Sequence, residues 1–252
     1  MTFAYVSVEE AINRGGVRMV VVGGVPSPWG EAAKGVLHIK ALEWVAVRLA
    51  YDGEPLKEWT GQRNGPVLIY ENERPRNGWA EILLLSERLA PKPSLLPADP
   101  TERALVFGLA HEICGEAGLG WSRRLQLVHS GLQNARGFPE RVSRYLGKKY
   151  GYSPKAGVAA SARVAELAAM LVARLKAQRQ AGSRYYVGNS LTAVDVYSAT
   201  FAAMFDPLPP EQCEMDAATR AAFVTRDARL EAALDTVPVS YTHLTLPTNR
   251  EV

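Results

Sequence analysis

The chain has only two cysteines in 252 residues, Cys114 and Cys213, and they form no C-x-x-C pair. Such sparse usage argues against a disulfide framework and suits a reducing cytosol, with both thiols packed as small hydrophobes. Long apolar runs are also missing, since none approaches the roughly 20 residues that cross a bilayer. Glu9 and Glu10 stand where a secretory leader would be basic and then apolar, so no leader is expected. A formal charge of +3 is too small to argue for nucleic acid or an anionic membrane as partner. No Gly-Lys-Ser/Thr follows a glycine turn, which removes a phosphate-binding loop. His111-Glu112 has no second histidine at zinc spacing, so no metal is expected.

What is present divides into two patterns. Ser7-Val8-Glu9-Glu10 has the form of a capping box opening a short helix (7–14), closed by Gly15-Gly16. Residues 17–22 are a β-branched run too short for a helix and predict a buried strand. A helix follows from Ser27-Pro28, with proline where its missing N–H does no harm and an apolar stripe of Ala33, Val36, Leu37 and Ala41. Strands are predicted at 44–49 and 66–70, with a turn-rich loop between them. Residues 71–74 are polar and loop-like, leaving room for a very short fourth strand. A helix at 79–89 stops at Ala90-Pro91-Lys92-Pro93. Beyond that linker strands disappear, and helices are expected at 99–118, 119–133, 139–150 and 158–180 and from Thr192 onward. This order predicts a small α/β domain over 1–93 and an all-helical domain over 99–238. The last stretch, 239–252, has neither helical period nor strand face and reads as a non-native tail.

The chemistry-bearing segment is Gly23-Gly24-Val25-Pro26-Ser27-Pro28-Trp29-Gly30. A dinucleotide fingerprint needs glycines at its first, third and sixth positions. Val25 occupies the third, and two prolines remove amides that a pyrophosphate would use. Ser27 instead falls at a helix N-terminus, where unpaired amides and the helix dipole favour an anion. A hydroxyl there can donate to a thiolate and so raise its population at neutral pH. The competing reading is that Ser27 only caps its helix.

This segment resembles the first β–α turn of thioredoxin-fold proteins, with Ser27-Pro28-Trp29-Gly30 where redox members carry Cys-Pro-x-Cys. Both sulfurs are absent, so dithiol exchange is excluded there. A serine at this place resembles the serine-type glutathione transferases. The order Ser27-Pro28, then Gly65-Pro66, then a helix at Trp79 strengthens the resemblance. It implies a thioredoxin-like domain followed by an all-helical bundle, with Gly65-Pro66 cis and offering its backbone to the cysteinyl part of glutathione. The family's Glu/Gln-Ser at the next helix start aligns with Gly78-Trp79, a departure in which acid and hydroxyl are both lost. Leu191-Thr192-Ala193-Val194-Asp195-Val196 forms a capping box, Thr192 with Asp195, flanked by a Leu191–Val196 staple. It resembles the folding motif of the family's helical domain.

The expectation is a cytoplasmic, homodimeric glutathione transferase acting in detoxification on a small hydrophobic electrophile or a peroxide. Ser27 would be catalytic; Pro28, Trp29, Gly65, Pro66, Gly78 and Trp79 would bind glutathione. His111 and Trp121 are candidates for an electrophile pocket, with helix packing as the alternative. Arg141, Arg144, Lys148 and Lys149 interleave with Tyr145, Tyr150 and Tyr152, which reads as a solvated helix face rather than a nucleic-acid surface. A non-catalytic binding or regulatory protein on the same scaffold is the rival function.

Overall fold

A computed structural model describes residues 4–133, 136–213, 215–224, 226, 228 and 230–231. The expectation for 239–252 falls outside them. The chain divides into two compact units, one holding described residues 4–95 and 209–213 and the other most of the remainder.

The first unit is a sheet of order β1-β3-β2-β4, with β1 (Tyr5–Val6), β2 (Val17–Val21), β3 (Val45–Arg48) and β4 (Val67–Tyr70). β1 and β2 run parallel to β3, and β4 runs antiparallel to β2 in the register Val20↔Val67. Alternation of side chains along the strands gives two cores. On one face Val17, Met19, Val21 and Leu68 meet Ala33 and Leu37 of α2 (Pro28–Ile39) and Ile82 and Leu85 of α4 (Trp79–Leu89). On the other, Val20, Val47, Val67 and Ile69 meet Ala11 of α1 (Val8–Asn13) and Leu56 of α3 (Glu54–Thr60).

Several expectations change here. β1 and α3 were not expected: β1 is too short to show a period, and α3 lies in what reads as a loop. Its signals are Pro55 in the first turn and Gly61 in the left-handed conformation (φ 68°) at its end. The fourth strand is a single bridge, Leu68↔Arg76, two residues past the stretch where room was left for it. Ser7 accepts from Glu10 N–H (3.0 Å), whereas the Glu10 carboxylate turns to Arg14 (2.5 Å) instead of closing the box. Ala41 leaves the α2 stripe, exposed and at φ 51°, and Lys40 is buried in its place. The Lys40 ammonium reaches the Glu87 carboxylate (2.7 Å) and the carbonyls of Ala90 (2.7 Å) and Pro93 (2.8 Å), fastening the ends of α2 and α4.

The second unit is helical: α5 (Pro100–Cys114), α6 (Leu119–Leu132), α7 (Glu140–Lys149), α8 (Pro154–Gln180), α9 (Ala193–Ala202) and α10 (Ala217–Phe223). α5 ends four residues before its expected end, and α8 starts four residues before its expected start, on the Ser153 cap and Pro154. Among the described residues α8 is long and apolar enough to cross a membrane, contrary to the reading of the sequence. Yet Gly157, Ala160, Val164, Leu167 and Leu171 form one buried stripe, and α8 packs on α6. That is the pattern of an amphipathic core helix. Buried Arg123 on α6 donates to the carbonyls of Met204 (3.2 Å) and Phe223 (2.9 Å), tying loop and helix end to the bundle.

Candidate functional site at one edge of the sheet

Strand directions decide what can meet. β2 and β3 are parallel, so α2 must begin at the carboxyl end of β2, and Ser27 stands there at its N-cap position. β4 is antiparallel to β2, so its start, Gly65-Pro66, lies at that same end. The next step of the register sets Pro66 beside Val21. Arg76 bridges antiparallel to Leu68 of β4, so the chain runs back toward the start of that strand and enters α4 two residues later at Gly78. Three segments distant in sequence thus gather at one edge of one unit.

Ser27 has extended backbone (φ −76°, ψ 118°), and its carbonyl accepts from Glu31 N–H (2.8 Å). Its hydroxyl makes no capping hydrogen bond to the helix amides. The cap-only reading therefore lacks the bond that defines it. Pro28 is buried at the start of α2 and Trp29 is half-buried. Gly65-Pro66 is cis. A Cβ at Gly65 would stand 3.3 Å from the Val20 carbonyl oxygen, a tight contact in the close passage beside β2.

At the start of α4, Gly78 has no side chain to offer, so only the reciprocal half of a capping box forms: Gly78 N–H to Glu81 Oε2, 3.4 Å. Glu81 also pairs with Arg74 (2.8 Å). The hydrogen bond from Arg74 chiefly holds the Glu81 carboxyl below its usual range, against a smaller burial effect. Arg76 (2.5 Å) and Arg88 (2.6 Å) converge on Glu73, which fixes the loop leading into α4. Sequence reading missed this charged frame, because ion pairs between a loop and a helix leave no periodic signal.

The other candidates lie in the helical unit. His111 is exposed on α5, its carbonyl taken by Gly115 N–H (2.7 Å), and Glu112 pairs with Arg163 (2.5 Å). Trp121 is half-buried and meets Tyr150 edge to face, centroids 4.6 Å apart, which favours its packing role. Thr192 and Asp195 are buried together at the start of α9. On α7, Tyr145 is exposed and Arg144 pairs with Glu140 (2.6 Å).

A thioredoxin-like sheet unit joined to an all-helical unit defines a two-part class of protein, and comparison with solved structures makes it specific. The chain has the glutathione S-transferase fold. A glutathione S-transferase from Methylobacterium radiotolerans, in complex with glutathione sulfonate, matches with TM-score 0.57 at 19% identity, covering 94% of this chain and 97% of that one. A Tau class enzyme from mango, Mangifera indica, gives 0.54 at 17%, covering 91% and 92%. A glutathione transferase homolog from Lodderomyces elongisporus, with two glutathione molecules per subunit, gives 0.56 at 12%, covering 90% and 96%. No family model and no curated protein matches the chain.

Proposed function

We propose that the protein is a glutathione transferase in which Ser27 stabilises the thiolate of bound glutathione. The observation that carries this reading is the Ser27 hydroxyl at the α2 N-terminus, free of any capping bond, at the edge shared with Gly65-Pro66. Solved structures of the same fold hold glutathione or glutathione sulfonate, which supports the ligand. The hydroxyl donates to the sulfur anion, and the α2 dipole adds to that stabilisation. The thiol proton passes to solvent, and the sulfur attacks an electrophilic carbon as its leaving group departs, or a peroxide oxygen. In the peroxide case the O–O bond breaks, the sulfur becomes a sulfenic acid and the other oxygen leaves as an alcohol after taking a proton from solvent. Pro28 and Trp29 shape the turn, Gly65-Pro66 aligns the cysteinyl backbone, and Gly78-Trp79 faces the γ-glutamyl end. By the same resemblance the working form is a cytoplasmic homodimer engaged in detoxification.

A second reading has its own observation. Gly78-Trp79 stand where the family places Glu/Gln-Ser, and the nearby Glu81 in the first turn of α4 is paired with Arg74. A scaffold that binds partners without catalysis would tolerate that change. Turnover of a standard aromatic electrophile decides between the readings. Ser27→Ala should lower kcat/KM at least tenfold while the protein stays folded, and an unchanged rate removes Ser27 from the mechanism. Failure of the folded wild type to bind immobilised glutathione favours the second reading.

A further inference from the structure

The formal charge of +3 conceals where the charge lies. From Arg136 to Lys155 there are six basic residues and one acidic one, a net +5, so the rest of the chain carries −2. At the centre of this stretch is α7, which packs through a narrow seam. Ser143 and Gly147 are buried, and the Ser143 hydroxyl donates to Phe138 O (3.0 Å). A Cβ on Gly147 would stand 3.4 Å from Val128 of α6 and from Tyr152, so these small residues let α7 lie close to its support. Arg141, Val142, Arg144, Tyr145, Lys148 and Lys149 are all exposed. Tyr145, 52% exposed, lies opposite the seam. Arg141, Val142, Lys148 and Lys149 surround it, each one turn away along the helix.

The helix's own acid, Glu140, is taken by Arg144 (2.6 Å), and among the described residues Arg141, Lys148 and Lys149 have no ion pair. Partial burial, and then the positive Arg124, hold the Lys149 ammonium below its usual pKa, as crowded positive charge requires. Such a cluster is complementary to a polyanion, and the form of the surface selects which one. α7 is a ridge, exposed on both flanks, so it has no walls to hold an acidic peptide. Its outward face has no Asn or Gln to read base edges. A bilayer needs neither, because fluid headgroups arrange themselves around a ridge. Tyrosine suits the headgroup level, and an exposed valine finds apolar surroundings just below it. We propose that α7 docks the protein on a membrane surface rich in anionic phospholipid, with Tyr145 among the headgroups and Arg141, Lys148 and Lys149 on the phosphates. The docking is peripheral and reversible, driven by charge, since one short helix buries too little apolar area to anchor. It does not depend on the glutathione reading.

The test is co-sedimentation of the full chain with two kinds of vesicle: phosphatidylcholine alone, and phosphatidylcholine with phosphatidylserine in equal parts. Wild type should bind only the second, and added salt should release it. Arg141→Gln with Lys148→Gln should weaken that binding about thirtyfold, the effect of two cations near a charged surface. Lys92→Gln with Lys176→Gln removes the same net charge from exposed positions outside α7 and should leave binding within about twofold. Tyr145→Ser should weaken it about threefold without altering the salt dependence. Equal losses in the two double variants overturn the proposal, because bulk charge alone would then be responsible. Wild type that ignores phosphatidylserine overturns it as well. Duplex DNA or polyglutamate bound through Arg141 and Lys148 more tightly than the vesicles also overturns it, and assigns the face to a nucleic acid or to an acidic protein.

Discussion

Asp195 Oδ2 accepts both the backbone N–H (2.8 Å) and the hydroxyl (2.8 Å) of Thr192, while its Oδ1 takes the N–H of Tyr186 (3.0 Å). One buried carboxylate thus anchors the start of α9 and the segment before it. Burial raises the Asp195 pKa despite these bonds, so they offset only part of its desolvation. Thr192→Ala removes one arm and should destabilise the protein by about 1 kcal/mol. Asp195→Ala leaves two backbone donors without an acceptor and should cost about 3 kcal/mol. Urea unfolding of the two variants measures the difference, and equal losses would refute this ranking.

Ser27→Ala should behave otherwise. With no capping bond to lose, its stability should stay within about 0.5 kcal/mol of wild type. A loss of 1 kcal/mol or more in the unfolding midpoint analysis would restore Ser27 to an ordinary capping role.

Lys40 carries a prediction of its own. Its side chain has 0% exposure and satisfies one carboxylate and two carbonyls. Lys40→Met fills similar volume but leaves Glu87 without its cation, which should destabilise by about 3 kcal/mol. A near-neutral variant would mean that the clip contributes nothing.

Acid sensitivity follows from Glu73. The hydrogen bond from Arg88, followed by that from Arg76, holds its carboxyl below the usual range. The folded state therefore binds that proton less readily than the unfolded chain. Its contribution is present above the ordinary carboxylate pKa and is lost as pH falls through the lowered value. Glu73→Gln should flatten this part of the acid limb of stability against pH, and an identical limb would place the dependence elsewhere.

Thiol chemistry separates the two cysteines. Burial pushes the Cys114 thiol well above its ordinary value, so it stays protonated and covered at pH 8. Cys213 is half-buried. In the native protein an aromatic disulfide reagent should leave Cys114 unlabelled until denaturant is added. Rapid native labelling of Cys114→Ser and Cys213→Ser alike would contradict the burial.

Much of the fold was legible because its signals are local. The β-branched run around Val20, the Ser27-Pro28 helix start and the Thr192/Asp195 box each depend on neighbouring residues. β1 and α3 escaped because two strand residues show no period and a seven-residue helix has little room for one. Lys40 escaped because its partners lie some fifty residues away, and a lysine ordinarily reads as solvent-exposed.

The sequence by itself determined the order of elements, the division into an α/β part and a helical part, and the hydroxyl at the first helix of the turn. Only the tertiary structure decided that Ser27, Gly65-Pro66 and Gly78 share one edge, because strand direction is set by pairing between distant segments. It also decided that the Ser27 hydroxyl makes no capping hydrogen bond. A hydrogen bond depends on where its partner lies in space, and residue type alone does not record that.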